Sequence, residues 1–92
     1  MPKPPSEDPR LQQFLAEEVR DLEYVDLLLA RAEAASQGKA VPEASGNAYL
    51  VIFERQRVVI EHHHLTGWQP LYLPTEDFIM ILRRWRAQLK PV

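Results

Sequence analysis

Apolar positions change their spacing twice along the chain, and those changes mark out its elements. From Leu11 to Ala32 they recur every three or four residues (Leu11, Phe14, Leu15, Val19, Leu22, Val25, Leu29, Ala32), the stripe of an amphipathic helix. Asp8-Pro9 supplies its start, with Asp8 as N-cap and Pro9 in the first helical position, and Gly38 supplies its stop after Gln37. The spacing therefore predicts one long helix, which at about 1.5 Å per residue approaches about 45 Å and must bend or overhang its neighbours. Glu18 falls inside its stripe. Lys39 to Ser45 reads as a loop.

Between Ala48 and Leu65 the helical spacing gives way to β-branched and aromatic residues on both sides of a polar break at Glu54–Arg57. A hairpin turning about Arg55-Gln56 places Tyr49, Val51 and Phe53 on one face with Val58, Ile60 and His62. Leu50, Ile52, Val59, Glu61 and His63 share the other face. Both faces are partly apolar, so cover is expected on both. Thr66-Gly67 then turns the chain into Trp68–Leu73, a third strand whose Pro70 confines it to an edge. Helical spacing returns after Pro74. Thr75 is the expected cap, Glu76 and Asp77 suit the positive end of the dipole, and Phe78, Ile81, Leu82, Trp85 and Leu89 face inward. Arg83, Arg84, Arg86 and Lys90 gather toward the C-terminal end.

The predicted class is α+β: a long N-terminal helix, an antiparallel β-hairpin with a third edge strand, and a C-terminal helix packed on the sheet. Residues 1–92 form a single small domain in which 1–7, rich in proline, are a flexible tail. No apolar run reaches the length of a membrane span, and Met1-Pro-Lys-Pro-Pro-Ser6 lacks an apolar signal region. Cysteine is absent, which removes disulfides and thiolate metal sites and fits a reducing cytoplasm, the expected location.

Net charge is −2, but it is unevenly spread. Residues 1–36 carry eight acidic and four basic side chains, and residues 37–92 five acidic and seven basic. Neither part is basic enough to make nucleic acid the expected partner.

Three stretches support a resemblance. Glu17-Glu-Val-Arg20 lies in the long helix, Gly46-Asn-Ala-Tyr49 opens the hairpin, and Leu71-Tyr-Leu73 precedes Glu76-Asp-Phe78 and a basic-ended apolar helix. Together they resemble the small uncharacterised bacterial proteins of the YacL-like family, over most of the chain. The segment between hairpin and last helix is shorter here than in that family. The resemblance implies the αββα order and brings no established activity with it. Immunity proteins and antitoxins of similar size and layout offer an analogy only.

Several groups invite chemistry. His62 and His64 project to one face of a strand and are candidate metal ligands, but zinc needs a third and fourth ligand and no histidine exists outside His62-His-His64. Histidines at the wet end of a strand are the plainer reading, and no metal or other cofactor is expected. Glu17/Glu18 and Glu76/Asp77 point about 100° apart on their helices, so neither pair converges on one atom, and solvated helix positions account for them. No serine shows a histidine base, and the glycines are scattered rather than arranged to cradle phosphate. Trp85 belongs to the inward stripe, which leaves the basic helix end without the aromatic platform of a single-strand binder.

What remains is surplus apolar surface. Tyr24, Leu27 and Leu28 fall off the main stripe of the long helix, Leu50, Ile52 and Val59 lie on the second sheet face, and Met80 lies opposite the stripe of the last helix. A non-catalytic protein–protein interaction module follows, of the immunity-protein or antitoxin kind. Its expected contact residues are Tyr24, Leu27, Leu28 and Met80, with Arg20 and Arg31 at the rim. The alternatives are a metal- or ligand-binding protein using His62 and His64, and a structural homo-oligomer, most simply a homodimer.

Overall fold

The computed structural model describes residues 8–89. The tail expected over residues 1–7, like Lys90, lies outside them. A break divides the expected long helix into α1 (Pro9–Glu18) and α2 (Leu22–Ser36). The sheet follows as β1 (Ala44–Ser45), β2 (Tyr49–Phe53), β3 (Arg57–His62) and β4 (Leu71–Pro74), and α3 (Thr75–Gln88) closes the chain. The four strands are antiparallel in the order β1-β2-β3-β4. This is the predicted α+β class, with α3 packed on the sheet.

The break corrects the single-helix expectation. Asp8 caps α1 as expected, accepting from the Arg10 amide at 2.8 Å. Val19 leaves helical geometry, and Asp21, in extended geometry, starts a second helix by accepting from the Tyr24 amide at 2.7 Å. An unbroken helix over residues 9–37, roughly 43 Å long, would overrun a molecule whose greatest extent is 33 Å. The open end of α1 is not wasted: the indole of Trp85 donates to the Val19 carbonyl at 2.6 Å, supplying a partner that the interrupted helix cannot. Gly38, at φ 85°, ends α2 as predicted, with its own amide bonded to Ala35 and that of Lys39 to Ala34.

The hairpin register matches the sequence reading, with Tyr49 opposite His62, Val51 opposite Ile60 and Phe53 opposite Val58. β4 is the expected edge strand, shifted to begin after Pro70. β1 lies where the sequence predicts a loop. It pairs Ala44 with Val51 and Ser45 with Leu50, on the opposite edge of the sheet. Thr75 also differs from expectation. It is the first residue of α3 rather than its cap, and its hydroxyl donates to the Glu54 carbonyl at 2.9 Å while its amide donates to the Gln56 carbonyl. The β2–β3 turn has no residue of positive φ, so it is neither of the usual two-residue hairpin turns, and Thr75 braces it from outside.

All three helices cover one face of the sheet. Tyr49, Val51, Phe53, Val58, Ile60, Leu71 and Leu73 are buried there among Leu11, Phe14, Val25, Leu28, Phe78 and Leu82. Trp85 reaches this core half-buried. Leu50, Ile52, Val59 and Tyr72 stand on the other face, outside that core, so the expected cover on both faces is present on one only. No helix among the described residues is long and apolar enough to cross a membrane.

Candidate functional site

The structure sorts the expected contact residues into three groups. The break resets the phase of α2, whose buried line runs Val25, Leu28, Ala32, Ala35 instead of through Leu22 and Leu29. Leu28 is therefore wholly buried in the core and is not a contact residue. That corrects the expectation drawn from one continuous helix.

Tyr24 and Leu27 remain. They line an open cleft on α2 together with Asp21, Glu23 and Asp26, and Leu27 is 39% exposed. The Tyr24 hydroxyl is buried and has no hydrogen-bond partner among the described residues. Burial, reinforced by the nearby Glu18 carboxylate, pushes its pKa up. Arg20 sits exposed in the α1–α2 connection. Arg31 is half-buried and donates to the Glu43 carbonyl at 2.9 Å, tying α2 to the approach to β1.

Met80 is exposed elsewhere, in a cleft between α2 and α3 lined by Glu33, Gln37, Ile79 and Arg83. Ion pairs join the same two helices, Asp26 to Arg86 at 2.6 Å and Glu33 to Arg83 at 3.3 Å. The hydrogen bond from Arg86 holds the Asp26 carboxyl below its ordinary value. Met80 and the Tyr24–Leu27 cleft share no lining residue and do not form one patch.

The histidines belong to an aromatic cluster at one end of the sheet. Tyr49 packs edge-on against Phe14, His62 and Trp68, with centroids 5.3, 4.7 and 5.6 Å apart. His62 Nδ1 accepts from the amides of His64 and Leu65 at 3.0 and 3.1 Å, so this nitrogen holds the turn after β3. His64 Nε2 lies 3.3 Å from the Asn47 carbonyl. Both metal candidates thus have structural partners, and no group of three or more potential metal ligands exists among the described residues. Ser45 Oγ and His63 Nε2 meet at 3.1 Å, a pairing hidden in the sequence because β1 was. Both are exposed, and no described residue hydrogen-bonds the other ring nitrogen of His63 to orient it.

Glu17 is exposed, as expected of a solvated helix position, and Glu18 is half-buried, but both have specific partners that the spacing does not predict. Glu18 accepts from the amides of Asn47 and Ala48 at 2.7 and 3.0 Å, and Glu17 accepts from the Tyr49 hydroxyl at 2.8 Å. The stretches Glu17–Arg20 and Gly46–Tyr49 therefore meet in this contact.

Burial and then the Glu17 hydrogen bond push the Tyr49 phenol far above the ordinary tyrosine value. A folded state that keeps a proton which the unfolded chain releases near pH 10 loses stability as pH rises past that point. Chemical denaturation across the alkaline range should therefore show stability falling from about pH 10 upward. Tyr49→Phe should flatten that fall, and an unchanged slope in the variant would assign it to other groups.

Family models, curated proteins and solved structures yield no match to this chain.

Proposed function

We propose that this protein is a non-catalytic protein–protein interaction module, an inhibitor of the immunity-protein or antitoxin kind that acts in the cytoplasm. One observation carries the reading: Leu27 stays exposed on α2 after the fold has formed its core, beside the half-buried Tyr24 and in a cleft also lined by Asp21, Glu23 and Asp26. An apolar centre with a charged rim is the anatomy of a contact surface, since the centre supplies burial and the rim selects the partner by sign. Glu23 and the capping Asp21 on this rim, beside an Asp26 already paired with Arg86, together with the excess of carboxylates over residues 1–36, favour a basic partner.

Tagged protein incubated with lysate from the cell of origin should retain a protein in stoichiometric amount. The partner should be released as salt is raised, because the rim charges are solvent-exposed and screened. Recovery of the tagged chain alone, at low salt and high lysate concentration, would contradict the proposal.

A further inference from the structure

The helix-free face of the sheet carries a pattern that matches itself. Register places Ile52 beside Val59 and Val59 beside Tyr72, so these three form a row across β2, β3 and β4. Val59 is only 6% exposed although it lies outside the core cluster. Two residues from Val59 in one direction stands Arg57, and two residues in the other stands Glu61, both on the same face. Arg57 pairs with Glu54 and lies over the Tyr72 ring at 5.2 Å. Glu61 has no ion-pair partner among the described residues.

We infer that this face is the seat of a homodimer, two copies packing sheet to sheet about a two-fold axis that crosses β3 at Val59. The axis lies in the plane of contact at right angles to the strand. Facing strands then run antiparallel, the Ile52–Val59–Tyr72 row meets its own copy, and Arg57 of each chain stands over Glu61 of the other. An axis along the strands would instead oppose Arg57 to Arg57 and Glu61 to Glu61. Charge therefore selects the antiparallel arrangement.

Leu50 extends the apolar area on the Glu61 side. Four strands at about 4.8 Å and about five residues at about 3.4 Å give a patch of roughly 300 Å² in projection. So small a contact belongs at the low end of specific interfaces, so the dimer should be weak and exchange rapidly, with a dissociation constant in roughly the micromolar range or above. The face lies apart from the Tyr24–Leu27 cleft, which leaves dimerisation and partner binding independent.

Sedimentation of the purified chain from about 10 to about 500 µM tests the inference, bracketing the expected constant. The wild-type protein should pass from monomer to dimer and stop there. Arg57→Glu alone and Glu61→Arg alone should each weaken dimerisation by about tenfold to a hundredfold, because the symmetry repeats every contact and turns two attractions into two repulsions. Mixed in equal amounts, the two variants should form a heterodimer, since each then offers the charge the other needs. Circular dichroism of each variant checks that the fold survives. A wild-type chain monomeric throughout would overturn the inference. So would dimerisation indifferent to both reversals, or folded variants that fail to recombine on mixing. Loss of the lysate partner by a Leu27 variant would leave all of these outcomes unmoved, so the two surfaces are judged separately.

Discussion

Leu28→Ala should destabilise the fold by about 2–5 kcal/mol, while Leu27→Ala should cost well under about 1 kcal/mol. The two leucines are neighbours in sequence and identical in composition, so only their placement separates them. Leu28 has no exposed surface and lies in the core, whereas Leu27 keeps 39% of its own. Truncating Leu28 removes buried methyl groups and leaves a cavity in a domain whose whole stability is on the order of 5–15 kcal/mol. Urea unfolding of both variants gives the comparison directly. Equal losses would mean that the phase of α2 is wrong and that Leu27 shares the core.

Glu18 and Gly46 should behave as one unit. The Glu18 carboxylate holds the amides of Asn47 and Ala48, and hydrogen bonds to a charged group are worth about 1.5–3 kcal/mol each when buried, less where water can replace them. Asn47 is exposed, so Glu18→Ala should cost about 1–3 kcal/mol in total. A Cβ at Gly46 would collide with the Glu18 carboxylate, Oε1 first. The carboxylate would have to swing away and give up the same two amides. Gly46→Ala should therefore cost about as much as Glu18→Ala, and the double variant little more than either alone. Additive losses in the cycle would show that the two residues act separately.

Legibility in the sequence followed the range of the forces involved. The hairpin register could be read because alternation on two adjacent strands leaves few ways to align them, and a one-residue slip would turn Tyr49, Val51 and Phe53 outward. The ends of the long helical region were equally local, since Asp8-Pro9 and Gly38 act within a turn of themselves. The break between the helices was not read, because Asp21 looks like any acidic residue on the wet side of an amphipathic stripe. Its role as a second N-cap emerges once Val19 departs from helical geometry. The break also resets the phase of α2, which is why Leu28 is buried. β1 escaped notice because two residues carry no periodicity. The partners of Glu17, Glu18 and Thr75 lie far away along the chain, where spacing says nothing. The Glu18 anomaly in the apolar stripe was the one visible sign that a carboxylate there had something to hold.

The proposed contact surface on α2 depends on Leu27 being surface that the fold leaves uncommitted and a partner uses. Leu27→Asp places a charge at its centre, and burying one leucine side chain is worth roughly 1.5–3 kcal/mol to a contact. The most direct measurement follows the thermal unfolding of this variant and its retention of the lysate partner side by side with the wild-type chain. The expected result is an unchanged unfolding midpoint together with loss of the partner. Unfolding of the variant, or a partner held as tightly as before, would contradict it.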